Sequence, residues 1–432
     1  MPDETPNTFQ SMTDAELASA IADLERQADA LRAQNLSLDM ARGKPSPEQT
    51  ALSRPMLDTL TSESDLTDQG AAADNYGIPD GLPSARALAA ELLGVDAANV
   101  IVNGSSSLNL MHDVVSMAYT HGIGGNKPWC EQGHVKFLCP APGYDRHFAV
   151  TARYGIENVP VPMREDGPDM DVVRQLVETD ASVKGIWCVP KYANPTGITY
   201  SDDVVRAFAA LKPAAPDFRV FWDNAYTVHS FVGEPAPLLN IFDALAEKGV
   251  TDRVIEFAST AKVTFPSSGM AWVTASPADM AEIRAAFAVT RVSPEKLTQL
   301  MHVRFLKDVA GVATHMKKHA AVVAPRFALV EKKLTEGLAD LHCATWTHPT
   351  GGYFVSFEGP EGSARAIVSL AAELGVKLTP AGATWPYGKD PHDTNIRIAP
   401  TYPSLEELGQ ALDVFVVAVK LVSARLAQAA RA

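Results

Sequence analysis

Lys262 is the residue whose surroundings most require a chemical reason. It stands in FASTAKVTFPSSGMAW (257–272), among small and hydroxyl-bearing side chains, between two runs that read as buried strand. Burial penalises an ammonium and lowers its pKa, which is what a lysine needs in order to attack a carbonyl. The alternative is an ordinary loop lysine pointing into water, because lysine is rarely buried. Other strand ends supply residues of matching chemistry. Gly104, Ser105 and Ser106 follow NVIV at the mouth of a helix, where free N–H groups and the helix dipole favour a phosphate; serines at such places also simply cap helices. Tyr144 follows KFLCP and offers a flat face for stacking or for plain packing. Asn194 follows GIWCVP, Asp223 and Tyr226 follow FRVFW, and Ser259 precedes Lys262. A carboxylate at the end of an apolar strand, such as Asp223, requires a cationic partner or several hydrogen bonds.

The elements that must position these residues are legible as well. DAELASAIADLERQADALRAQ (14–34) carries apolar residues at helical spacing. From about residue 84, short β-rich runs alternate with helical patterns: NVIVNG then SLNLMHDVVSMAY, KFLCP then YDRHFAVTARY, GIWCVP then SDDVVRAFAAL, then FRVFWDN, with RVIEFAST and MAWVTAS bracketing Lys262. Such alternation predicts a mostly parallel, doubly wound α/β sheet, whose ligand lies beyond the carboxyl ends of the strands. Residues 295–340 read as long helix, and 341–432 mix the strand-like YFVSF and NIRIA with a terminal helix over 404–428. GIGG (122–125) does not follow a strand as a dinucleotide-binding GxGxxG would, so it reads as a loop.

A phosphate cradle, an aromatic stacker, a carboxylate, a phenol, an amide and a lysine are together the groups that hold pyridoxal 5'-phosphate (PLP), a cofactor that acts as an electron sink. At this point the chain resembles the class I aminotransferases of PLP fold type I. It is most similar to aspartate aminotransferase, in a divergent bacterial subgroup marked by sequences such as ARGKPS and YANPTG. The matching motifs run in family order from about residue 36 onward. ANPTG (193–197) implies that Asn194 bonds the cofactor's phenolic oxygen; DNAY (223–226) implies Asp223 on the ring nitrogen and Tyr226 on the phenolic oxygen. NYGIPDGLPSAR (75–86) implies that Tyr76 reaches the phosphate of a neighbouring subunit, and hence a homodimer with shared sites. NIRIAPTYPS (395–404) implies Arg397 as the forked anchor of the substrate α-carboxylate, where an arginine read alone would be solvated or ion-paired. PTGGYFVSF (349–357) resembles the family's small-domain strand, and Gly43 in ARGKP the position whose backbone lies against the substrate.

Two departures stand out. The family's phosphate-pairing arginine, eight residues after the lysine, is here Met270, and the residue before the lysine is Ala261 rather than Ser. Hydroxyls of Ser105, Ser106, Ser259 and Ser268, with Tyr76 and a helix dipole, or an unrecognised cation, must balance the phosphate instead. No motif fixes the residue for a distal carboxylate, for which Arg42, Lys44, Arg146 and Arg291 are candidates.

The resemblance implies a large PLP-binding domain (46–300) with a mostly parallel, seven-stranded-type sheet between helices. It also implies an N-terminal arm and helix (1–45), and a linker helix with a small α+β domain (301–432). The expected reaction is transamination between L-aspartate and 2-oxoglutarate, with aromatic, alanine or 2-aminoadipate substrates as the alternative. A PLP lyase or decarboxylase would share the lysine and aspartate. A non-catalytic PLP-sensing regulator would bring a DNA-binding domain and a basic patch, yet only about 35 residues precede the matching region. With 37 Lys+Arg against 51 Asp+Glu the chain is net −14, which argues against a nucleic-acid partner. The N-terminal leader is polar and acidic, no apolar run approaches the roughly 20 residues of a membrane span, and four scattered cysteines form no CxxC pair. These features point to a cytoplasmic enzyme. His342, Cys343 and His348 match no usual zinc spacing, so no metal is expected.

Overall fold

The predicted alternation resolves into a single eight-stranded sheet in the computed structural model, which describes residues 8–431; the first seven residues of the polar leader lie outside it. In chain order the strands are β1 (Val100–Val102), β2 (Lys136–Ala141), β3 (Glu157–Arg164), β4 (Gly167–Pro168), β5 (Val183–Cys188), β6 (Arg219–Asp223), β7 (Val254–Ser259) and β8 (Ala271–Ala275). Across the sheet the order is β1-β8-β7-β6-β5-β2-β3-β4. β8 runs antiparallel to both its neighbours, and the two-residue β4 folds back antiparallel on β3. The other neighbouring pairs are parallel. β3 was not legible as a strand: ENVPVPMR carries two prolines and an alternating, half-polar pattern typical of a strand near an edge.

Side chains alternate across the sheet. Phe221 and Phe257 pack on one face with Phe137, Trp187 and the helix Ser107–His121. Val220 and Trp222 pack on the other with Ile186 and Phe208. Asp223 therefore emerges on the first face and Glu256 on the second.

A separate apolar cluster joins helix α1 (Asp14–Arg32), through Leu17, Ile21, Leu24 and Ala28, to the terminal helix Leu405–Ala429 and the strands Val355–Glu358 and Asn395–Ile398. Both of those helices begin with capping boxes, Thr13 with Glu16 and Ser404 with Glu407, each worth about 1 kcal/mol. The long helical stretch expected over 295–340 is two helices, Lys296–Leu306 and Val309–Leu338. Lys307 takes a left-handed φ of 68°, and the Asp308 side chain accepts from the Gly311 N–H at 2.7 Å, restarting the chain as a new helix. GIGG is a loop, with the Gly124 and Gly125 N–H groups donating to the Glu282 carboxylate.

Candidate active site

Parallel strands end on one edge of the sheet, and that edge gathers the residues singled out above. Asp223 closes β6 beside Phe257 of β7. It is 3% exposed. One carboxylate oxygen lies 2.9 Å from His147 Nε2; the other is buried with no hydrogen-bond partner. His147 is held in turn by stacking on Trp187, at 4.6 Å between ring centroids and 12° between planes. The cation or hydrogen bond that a buried Asp223 requires is thus His147, a residue the sequence reading missed. Its signal was available: it lies three residues after Tyr144, on the first turn of the helix that follows β2.

Lys262 leaves β7 on a turn fastened at several points. Thr260 N–H donates to the Met270 carbonyl and Met270 N–H to the Thr260 hydroxyl, each at 2.8 Å. The Lys262 carbonyl accepts from Tyr353 at 3.4 Å, and His315 bonds the Val263 carbonyl at 2.9 Å. The Lys262 ammonium lies 4.7 Å from the centre of the Tyr226 ring. Tyr226 is fully buried, and burial together with the nearby Asp223 charge drives its phenol well above the usual range, so it stays protonated. The Tyr144 phenol is also raised, mainly by burial, and feels the charges of Lys262 and Asp223. Its ring meets His147 edge-on at 4.9 Å. Lys262, Asp223, Tyr226 and Tyr144 therefore lie close together at this edge.

Arg397 rises from the strand Asn395–Ile398 with its side chain 10% exposed. One terminal nitrogen lies 3.3 Å from both Asp145 and the Asn194 amide oxygen, the other 3.4 Å from the Thr379 hydroxyl, and Nε is buried without a partner. The guanidinium sits 4.9 Å from the centre of the Phe354 ring. That ring explains Gly43, since a Cβ there would come within 2.1 Å of it.

At the opposite end of the site, Gly104 takes a left-handed φ of 74° before the helix Ser107–His121 and leads into Ser105 and Ser106. This bend lies against the Lys262 turn: a Cβ on Gly269 would meet Ala261 N at 2.9 Å and Ser105 O at 3.0 Å. The Gly104 N–H donates to the Glu295 carboxylate at 3.1 Å. Met270 lies 1% exposed in an apolar cluster with Val102, Ala258 and Trp272, so its side chain offers the bend no charge. Tyr76 is not drawn into the cleft. It is 81% exposed, and its hydrogen bonds are main-chain ones, including one from the buried Lys296 to its carbonyl.

The family model of the aspartate amino-transferases matches residues 12–430. The chain belongs to that family. It is 46% identical to a putative aminotransferase of Mycolicibacterium smegmatis, over 94% of this chain and 96% of the relative. It is 41% identical to an aspartate aminotransferase of Corynebacterium glutamicum, over 93% of each. A crystal structure of an aspartate transaminase from Corynebacterium glutamicum superposes with a TM-score of 0.95 at 39% identity, covering 98% of this chain and all of the other. The protein is therefore an aminotransferase of fold type I, as the motif order implied.

In this aminotransferase the four candidates for a distal carboxylate differ in setting. Arg42 lies 3.9 Å from Asp39, Lys44 lies 3.7 Å from the centre of the Tyr402 ring, and Arg291 pairs with Asp113. Arg146 lies 3.9 Å from Asp145, the carboxylate that also holds Arg397. Among the described residues no cluster of three or more His, Cys, Asp or Glu could hold a metal, and no helix is long and apolar enough to cross a membrane.

Proposed function

We propose that this aminotransferase uses PLP to move the amino group of L-aspartate to 2-oxoglutarate. The observation that carries the cofactor assignment is Asp223: a buried carboxylate with one oxygen fixed by His147 and the other without a partner fits a protonated ring nitrogen. When bound, PLP supplies an electron sink for the charge that develops at the substrate Cα.

The chain's own residues do the rest. The Lys262 amine would hold the cofactor aldehyde, and it is placed to take the proton from the substrate Cα and return it. Asp223, held by His147, would keep a proton on the ring nitrogen. The Tyr226 phenol, which stays protonated, and the Asn194 amide would hold the phenolic oxygen, and Tyr144 would flank the ring. Arg397 grips the α-carboxylate, with Asp145, Asn194 and Thr379 fixing its fork and Phe354 backing it, while Gly43 gives substrate a close approach. Gly104, Ser105, Ser106 and Ser259 would take the phosphate. Tyr76, exposed on its own subunit, would reach the phosphate of a second copy, which makes a homodimer the proposed working unit.

We assign the distal carboxylate of a dicarboxylate to Arg146, which lies 3.9 Å from the Asp145 carboxylate that also holds Arg397. Four free cysteines, three of them buried, fit a reducing cytoplasmic setting. The test is a half-reaction: L-aspartate is added without keto acid to the PLP-loaded protein. Loss of the cofactor's visible absorption band with release of oxaloacetate is expected; an unchanged band with aspartate and a changed one with another amino acid would reassign the substrate.

A further inference from the structure

On the sheet face opposite Asp223, the carboxyl ends of β5 and β6 open onto a second cavity of about 400 Å³, lined in part by Lys191, Trp222, Asn224 and Glu256. Lys191 is its unusual member. It is only 9% exposed, yet among the described residues it forms no ion pair and no hydrogen bond; the Tyr192 ring centre lies 5.6 Å from its ammonium. The other buried lysines of the chain are each satisfied, Lys184 by Asp217 at 2.8 Å and Lys296 by the Ala72 carbonyl at 2.7 Å. The Lys191 ammonium borders the cavity with no protein partner among the described residues, and the burial of its side chain pulls its pKa below the usual lysine range.

Glu256 does not supply that partner. It accepts from the Asn224 side chain at 2.9 Å, and burial pushes its carboxyl up to about 8, so near neutrality it is mostly protonated and can donate a hydrogen bond instead of repelling an anion. Leu92, Pro235, Pro237 and Leu238 give the wall an apolar part, beside the polar Thr227 and Asn240. The volume lies in the range of small-ligand pockets.

We propose that this cavity is a second binding site, for a small carboxylic acid with an apolar body, whose carboxylate pairs with Lys191 and faces Glu256. The site lies outside the transamination cleft and does not depend on which amino acid reacts there. It is placed to influence that cleft: Lys191 lies three residues before Asn194, Asn224 follows Asp223, and Thr227 follows Tyr226.

The test is a calorimetric titration of 4-methylpentanoate into the PLP-loaded protein carrying Arg397→Ala, which removes the α-carboxylate grip and leaves Lys191 intact. One binding event is expected, weakened about 10- to 100-fold when Lys191→Met is added, as for loss of a charged hydrogen bond, and absent with the neutral 4-methylpentanamide. Lys191→Gln serves as the second variant where the methionine variant does not fold. No binding in the Arg397→Ala protein, binding that survives both lysine variants, or equal binding of the amide would each overturn the site. The aspartate half-reaction is read separately on the wild-type protein, so a failure of the transamination reading is distinguishable from a failure of this one.

Discussion

The two ends of the cofactor cleft are built differently. Where the ring would lie, every proposed group comes from one chain and is buried or tied: Asp223 to His147, Tyr226 enclosed, and the Lys262 turn fastened by Tyr353 and His315. Where the phosphate would lie, Ser105 and Ser106 are half-exposed, the Gly104 N–H is held by Glu295, position 270 is an apolar core residue, and Tyr76 faces outward. Tuning a ring requires a low dielectric and fixed partners, which only packing provides. Holding a doubly charged phosphate tolerates solvent and can be shared among hydroxyls, main-chain dipoles and a second copy.

The largest effect that would test this contrast is expected at Lys262. Lys262→Ala should lower kcat by about four orders of magnitude or more with the melting temperature nearly unchanged. Ordinary turnover would remove the ring end from the chemistry altogether. Next comes Arg397→Ala, which should reduce kcat/KM for aspartate about 10²- to 10³-fold through lost charged hydrogen bonds; an unchanged value in steady-state kinetics would refute its role. At the phosphate end Tyr76→Phe should weaken PLP binding only about tenfold, the scale of one hydrogen bond to a charged group. A loss as large as that at Lys262 would erase the difference between the ends.

Acid stability probes the wall behind the Lys262 turn. Burial lowers His302 and His319 from 6.5 to about 4. The unfolded chain therefore takes up protons between those values that the fold does not, and stability falls as pH drops from about 6.5 towards 4, by about 1.4 kcal/mol per pH unit for each such histidine. Melting temperatures across that window should decline less steeply in His302→Gln, and an identical slope would show that His302 does not contribute. The smallest effect is expected from Glu295→Gln. Removing a carboxylate beside the phosphate bend should tighten PLP binding about two- to fivefold, the scale of one charge at a helix N-terminus; weaker binding in a fluorescence titration would mean that Glu295 supports the bend.

Much of this was legible in one dimension. The strand–helix alternation, the strand ends carrying Asp223 and Asn194, Lys262 between two strands, and the absence of a cation at position 270 all follow from local pattern and motif order. Periodicity reports which face of an element is buried, and short motifs report local backbone shape. What the sequence could not supply were partners brought together from far along the chain. His147 meets Asp223 across 76 positions, Tyr353 meets Lys262 across 91, and Glu295 meets Gly104 across 191. The helix break at Lys307 was hidden by helix-forming residues on both sides. The unpartnered Lys191 was invisible for the same reason as those long-range pairs: whether a buried charge is satisfied depends on atoms that only tertiary packing sets beside it.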